Sequence, residues 1–116
     1  MSGWLDPMIL KFTNVSDITL PLYDTSGNSI INWGDGIINN YTNSHTYTPT
    51  ANPTVKIYVS ENNGSKIGRF GFNGSAWTGS DKLTAITQWG DFNGLETINR
   101  LGDASLNEVP NDYQLQ

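Results

Sequence analysis

The chain contains no cysteine, a single histidine and few charged residues, which make up 15% of the sequence. Without cysteine it can form neither a disulfide nor a thiolate site for a metal or redox cofactor, and we expect no cofactor. No apolar run approaches the ~18 residues of a membrane-spanning helix, so we expect no membrane partner. The six basic residues are scattered and the net charge is −5, which disfavours nucleic acid as a partner.

The polar residues that are present are mainly Asn, Thr and Ser, together with 12 Gly and 5 Pro. These residues favour turns and strands over helix interiors, so we predict an all-β fold. A length of 116 residues fits one small unit. Acidic residues are concentrated at the end of the chain: residues 81–116 carry six of the 11 acids, with only Lys82 and Arg100 as bases.

Short segments in which apolar residues alternate with polar ones predict half-buried strands. Such segments are residues 8–13, 18–23 and, most clearly, 54–59, and residues 30–33 are predicted as a further short strand that ends at Gly34-Asp35-Gly36. Pro21 cannot donate to a strand ladder, which predicts an edge position for residues 18–23. We expect residues 37–42 to return as a hairpin on 30–33, and the Asn63-Gly64 turn to bring residues 66–72 back against 54–59. Six or seven strands at this spacing are typical of an antiparallel β-sandwich.

One part of the chain resembles a known family. Trp33, Gly34, Asp35 and Gly36 are followed by His45 and Tyr47, within His-Thr-Tyr, and then by a Thr-Val strand at residues 54–57. This order resembles the signature of the PKD-type immunoglobulin-like domain. The resemblance implies an immunoglobulin-like sandwich of extracellular type, used in adhesion, spacing or assembly, with these six residues as its structural signature. The Pro-Gly-Thr-Tyr that is usual before the last strand is replaced by Thr50–Pro53.

The C-terminal segment has a different pattern. Residues 82–110 are similar to the opening of a BspA-type leucine-rich repeat, in Leu83-x-x-Ile-x-x-Trp-Gly and in Leu106-x-x-Val-Pro110. About one repeat period is present, whereas a solenoid needs about three repeats to bury a shared core. We therefore predict an immunoglobulin-like β-sandwich at residues 1–80 and an acidic, leucine-rich-repeat-like cap or tail at 81–116.

Asp35 and His45 are the candidate chemical groups of the signature. Asp35 between two glycines is either a cation ligand or the centre of a tight turn, and we favour the turn because no Asp-x-Asp-x-Asp-Gly loop occurs. His45 lacks an obvious nucleophile or partner base, so we favour a structural hydrogen bond over catalysis. We accordingly expect no enzyme activity, no catalytic residues and no metal.

Aromatic residues supply the candidate contacts. Trp33 is expected in the core between the sheets. Trp77, in a Gly/Ser loop, either pins that loop by burial or stacks on a sugar ring, and we favour the first alternative. Tyr23, Tyr41 and Tyr58 fall on the expected outer faces and are candidates for ligand or partner contact, because tyrosine is enriched at interfaces.

Two functional hypotheses remain. The first is a non-enzymatic structural protein of a virion surface, a capsid decoration or fibre component, which associates with other virion proteins and with itself. This would reconcile an extracellular-type module with an N-terminus in which Asp6 and Pro7 interrupt the apolar stretch and no basic region precedes it, if residue 1 is the natural start. The alternative is a carbohydrate- or receptor-binding fragment of a bacterial cell-surface adhesin, with surface glycans as ligands.

Overall fold

A computed structural model describes residues 3–40, 42–62, 64–71, 76–95, 97–98, 106 and 109. In these ranges the chain is β-sandwich-like, with no α-helix and a single 3-10 turn at Ser80–Lys82. Nor do these ranges contain a helix long and apolar enough to cross a membrane. The strands in chain order are β1 (Met8–Phe12), β2 (Val15–Thr19), β3 (Leu22–Ser26), β4 (Ser29–Asn32), β5 (Ile38–Asn40), β6 (Ser44–Ala51), β7 (Thr54–Val59), β8 (Lys66–Phe70), β9 (Leu83–Gln88) and β10 (Thr97–Ile98).

The strands of the described residues form three sheets around one core. A five-stranded antiparallel sheet has the order β5-β4-β7-β1-β9, and a three-stranded sheet has the order β10-β8-β3, in which the short β10 runs parallel to β8. β2 and β6 pair as a two-stranded antiparallel sheet. Buried side chains from all three sheets join in one apolar cluster, so the sheets are held together by a common core rather than by separate ones.

The alternating patterns of β1 and β7 are confirmed. Met8, Leu10 and Phe12 of β1 are buried, and the three apolar residues of β7 are completely buried beside them. The return of the chain after Gly34–Gly36 as a hairpin is also confirmed, because β5 pairs antiparallel with β4. In β1 and β7 a period of two, with apolar side chains on the inner face, specifies both the strand and its orientation.

The predicted continuous strand at residues 18–23 is wrong. The chain changes sheet at Leu20–Pro21, so β2 belongs to the two-stranded sheet and β3 to the three-stranded sheet. The Leu20 N–H donates to the Asn43 carbonyl at 2.7 Å, towards β6, and the Pro21 carbonyl accepts from the Gly71 N–H at 2.7 Å, beyond β8. Because proline has no N–H, the junction leaves no donor unsatisfied at Pro21.

The predicted hairpin through Asn63-Gly64 is also wrong. β8 does not return on β7 but pairs antiparallel with β3, with Thr25 opposite Ile67. The connection therefore carries the chain from the five-stranded to the three-stranded sheet. A local turn signal predicts a reversal of the chain, but it does not determine which strand is paired next.

The start of the C-terminal segment belongs to the main sheet. β9 pairs antiparallel with β1, with Leu10 opposite Ile86, and Leu83 and Ile86 are completely buried. Leu95, Ile98 and Leu106 pack against the same core. Most of residues 96–116 lie outside the described residues, so the division of the chain at residue 80 stays a prediction.

Trp77 connects two sheets. Its indole meets Phe12 of β1 edge-on at 6.0 Å between ring centroids, and Phe70 of β8 edge-on at 5.7 Å. Only 9% of Trp77 is exposed. Edge-to-face aromatic pairs at these distances are attractive in addition to the apolar area that they bury. The burial favours the pinning alternative for Trp77.

Replacing Trp77 with alanine removes this aromatic link and leaves a cavity between the sheets. We expect Trp77→Ala to lower the free energy of unfolding by about 3–5 kcal/mol. Trp77→Phe, which keeps a ring between Phe12 and Phe70, should cost clearly less. Urea denaturation followed by circular dichroism measures both values. Equal stability of the alanine variant and the wild type would contradict the burial of Trp77.

Candidate functional site

The Trp-Gly-Asp-Gly segment forms a tight turn between β4 and β5. The Asp35 Oδ1 atom accepts a hydrogen bond from the Ile37 N–H at 3.1 Å, and Asn32 Oδ1 accepts one from the Gly34 N–H at 3.0 Å. Gly34 has a φ of 84°, and a Cβ at this position would lie 2.5 Å from the Thr54 carbonyl oxygen. Glycine is required here both by the left-handed backbone and by the close approach of β7.

His45 lies over this turn and contacts three other residues of the signature. Its Nε2 is 2.7 Å from the Asp35 Oδ2. Because an ionised carboxylate only accepts hydrogen bonds, Nε2 carries the proton and donates it. The imidazole stacks on Trp33 at 5.0 Å with an interplanar angle of 16°, and it meets Tyr47 edge-on at 4.8 Å. The ring is therefore oriented by one charged and two aromatic neighbours.

Tyr47 on β6 contacts both Trp33 and His45. Its hydroxyl donates to the Trp33 carbonyl at 2.6 Å, and the residue is 4% exposed. Burial and the charge of Asp35 raise the pKa of Tyr47 far above its ordinary value, so the hydroxyl remains a donor at any physiological pH. Trp33 is completely buried and its indole N–H donates to Asn39 Oδ1 at 2.8 Å. We call Trp33, Asp35, His45 and Tyr47 the signature cluster.

The polar side-chain atoms of Asp35 are hydrogen-bonded within the fold. Burial alone would raise the pKa of Asp35, but the hydrogen bonds from His45 and the Ile37 N–H, with the charge of His45, together hold it below its ordinary value. Both carboxylate oxygens thus already have protein donors. In the described part of the chain no hydroxyl nucleophile is hydrogen-bonded to His45, and no group of three or more His, Cys, Asp or Glu could hold a metal ion.

The candidate contact residues do not come together. Tyr23 on β3 is 42% exposed, whereas Tyr58 on β7 is half-buried on the outer face of the five-stranded sheet, opposite Ile30. Trp77 lies in the core, as described above. Tyr41 lies outside the described residues. These aromatic side chains therefore do not form one contact surface in the part of the chain that the structure describes.

A cavity at one end of the five-stranded sheet was not predicted from the sequence. It has a volume of about 410 Å³ and lies where Trp4 forms an isolated antiparallel bridge with Ser60, next to the start of β4 and the end of β5. Beside Gly27, its lining consists of Trp4, Asn28, Ser29, Asn40, Ser60 and Asn62. The lining comes from four separate segments, so no local pattern in the sequence predicts the cavity. The abundance of Asn in the sequence is the one signal related to it.

Comparisons with protein-family models, curated proteins and solved structures find no match to the chain. The interpretation of both sites therefore depends on the residues and their geometry.

Removal of the Tyr47 hydroxyl tests the signature cluster. We expect Tyr47→Phe to lower the free energy of unfolding by about 1–3 kcal/mol, because the buried Trp33 carbonyl loses its donor. Tyr58→Phe is the matched control, since Tyr58 is half-buried and its hydroxyl has no hydrogen-bond partner among the described residues. Denaturant titrations of the three proteins measure the difference. Equal losses in both variants would contradict the assignment.

The acid sensitivity of the cluster follows from Asp35. Because its pKa is lowered in the folded protein, its ionised form contributes stability that is present above about pH 4 and is lost as the pH falls through the folded pKa. We therefore expect the stability difference between the wild type and Asp35→Asn to shrink between about pH 5 and pH 2. Denaturant titrations across this range measure it.

Asp6→Asn is the control for this experiment, because it removes an exposed carboxylate that has no side-chain hydrogen bond in the described ranges. A difference between wild type and Asp35→Asn that stays constant with pH would show that the Asp35 charge does not stabilise the cluster.

Proposed function

We propose that the chain is a non-enzymatic structural protein of a virion surface, a capsid decoration or fibre component built on an immunoglobulin-like module of the PKD type. The signature cluster supports the module type, because the residues that carry the resemblance fasten the end of one sheet to another through direct contacts. Asp35 and His45 are engaged with each other and with the fold, which favours a structural over a catalytic role for both.

The observation that carries the assembly role is the exposed edge at β5. Ile37 is 44% exposed and Ile38 is 56% exposed, although both are large and apolar. β5 forms one edge of the five-stranded sheet, and among the described residues only β4 pairs with it. Ile37 lies just before β5 and Ile38 begins it, so exposed apolar side chains lie beside the unpaired side of an edge strand, and such an edge is a template for pairing with another chain. The proposed occupant is another structural subunit of the particle, including a second copy of this chain.

The leucine-rich-repeat-like character of residues 81–116 remains part of this proposal. β9 in the main sheet and the contacts of Leu95 and Leu106 with the core support a segment that packs on the sandwich. Such a segment would cap the end of the module rather than begin a long solenoid, since a single period cannot bury a shared core.

A carbohydrate- or receptor-binding fragment of a bacterial cell-surface adhesin is the second candidate. The burial of Trp77 removes that residue as a stacking platform. The cavity beside Trp4 favours this candidate instead, because its lining residues include a tryptophan together with several asparagines and serines.

A lysine on the β5 edge tests the assembly proposal. We expect Ile38→Lys to weaken self-association, and co-sedimentation with particles from the source culture, by at least about tenfold, because a charge replaces exposed apolar surface at the pairing edge. Sedimentation velocity and density-gradient centrifugation measure the two effects. Thr87→Lys, which places the same charge at an exposed position on the opposite edge strand β9, is the matched control.

A wild-type chain that stays monomeric at high concentration and does not travel with particles would overturn the assembly role. Equal weakening by Ile38→Lys and Thr87→Lys would place the contact elsewhere than at β5.

A further inference from the structure

The cavity beside Trp4 is lined by neutral polar groups. Three asparagines (Asn28, Asn40 and Asn62) and two serines (Ser29 and Ser60) are among its lining residues, and none of the described lining residues has an ionisable side chain. A ligand with a formal charge would find no counter-charge here, whereas charged ligands are ordinarily held by charge-assisted hydrogen bonds. The chemistry of the lining therefore fits an uncharged ligand that has several hydrogen-bonding groups.

The three carboxamides are available for such a ligand. Within the described residues their side-chain atoms make no hydrogen bond to the protein, whereas the amides of Asn32, Asn39 and Asn43 are all engaged in the fold. A carboxamide presents two donors and one oxygen acceptor with two lone pairs, so it can bind two neighbouring hydroxyl groups at once. All three asparagines are exposed, so these amides are hydrated, and a ligand with hydroxyl groups binds them by replacing that water.

Hydrogen bonds hold the backbone of Asn28, Ser60 and Asn62 beside the cavity. Ser60 is 4% exposed, its N–H donates to the Asn28 carbonyl at 3.0 Å, and its Oγ accepts from the Asn62 N–H at 3.0 Å. The Asn28 N–H in turn donates to Ser65 Oγ at 3.0 Å. The backbones that carry two of the amides are therefore fixed before any ligand binds, which lowers the entropic cost of binding.

Trp4 supplies the apolar part of the site. Trp4 is half-buried, and its indole N–H has no hydrogen-bond acceptor within the described ranges. The negative face of an aromatic ring attracts weakly positive C–H groups, and one face of a sugar ring presents several of them. The volume of about 410 Å³ is within the range of small-molecule sites and accommodates one or two sugar rings.

We infer that the cavity formed by Trp4, Asn28, Asn40, Ser60 and Asn62 is a binding site for a neutral saccharide. The aromatic face binds the C–H side of one sugar ring, and the carboxamides bind its hydroxyls. A nucleoside would use similar contacts, but a nucleotide or nucleic acid is disfavoured by the net charge of −5. The inference does not depend on the assembly role of β5, because the cavity is not formed by that pairing edge alone.

Nuclear magnetic resonance of the wild-type chain tests the inference. The probes are the methyl glycosides of glucose, galactose, mannose and N-acetylglucosamine, each added to about 50 mM, with glycerol as a polyol that has no ring. We expect at least one glycoside to shift the Trp4 indole N–H and the side-chain amides of Asn28 and Asn40, with a Kd of about 0.1–10 mM. Glycerol should leave these signals in place.

Variants locate the binding. Asn28→Ala and Asn40→Ala alter exposed side chains without hydrogen bonds in the described part of the chain, so they should fold and weaken binding by at least about tenfold. Thr87→Ala, on the opposite edge of the sheet, should bind like the wild type. Absence of shifts with all four glycosides, equal shifts with glycerol, or unchanged affinity in both Asn variants would overturn the inference. Binding of adenosine without binding of any glycoside would overturn it as well.

Discussion

The hydrogen bond from the Tyr47 hydroxyl to the Trp33 carbonyl links the parts of this fold that the strand ladders leave separate. Trp33 follows β4 in the five-stranded sheet, whereas Tyr47 lies on β6, which pairs only with β2 among the described strands. Without this bond, the carbonyl of a completely buried residue would have to be satisfied in another way. The other contacts of the signature cluster depend on the same placement, because His45 can stack on Trp33 and reach Asp35 only while β6 lies against the end of β4.

A second constraint comes from the path of the chain. At Leu20–Pro21 and again between β7 and β8 the chain leaves one sheet and enters another, so neighbours in sequence are not neighbours in a ladder. Because of this arrangement, most tertiary contacts join residues that are far apart in the sequence. The core then depends on residues such as Trp77 that contact two sheets at once, through Phe12 and Phe70. It also leaves β5 with one ladder neighbour in the described part of the chain, and the proposed assembly role depends on this edge.

The local features of the fold could be predicted from the sequence, and the pairing between sheets could not. The alternation in residues 8–12 and 54–59 identifies β1 and β7 because each apolar side chain has to face the core. Pro21 and Asn63-Gly64 are equally strong signals, but a proline or a turn reports only the local backbone. The choice of partner for β8 is made by the burial of Ile67 and Phe70 against the rest of the core, which is a property of the whole chain.

The two candidate sites differ in predictability for the same reason. Trp33, Asp35, His45 and Tyr47 lie within 15 positions of one another, so their spacing alone could suggest that they act together. The cavity residues extend from Trp4 to Asn62 and become neighbours only through the bridge at Ser60 and the order of β5, β4 and β7. The signature cluster uses its polar atoms within the fold, whereas the carboxamides of the cavity leave theirs unused in the described residues. Folding free energy can account for the first arrangement, since each bond there satisfies a group that folding removes from water. The amides of the second arrangement are exposed to water, so they carry no unsatisfied group and remain accessible to a ligand with hydroxyl groups.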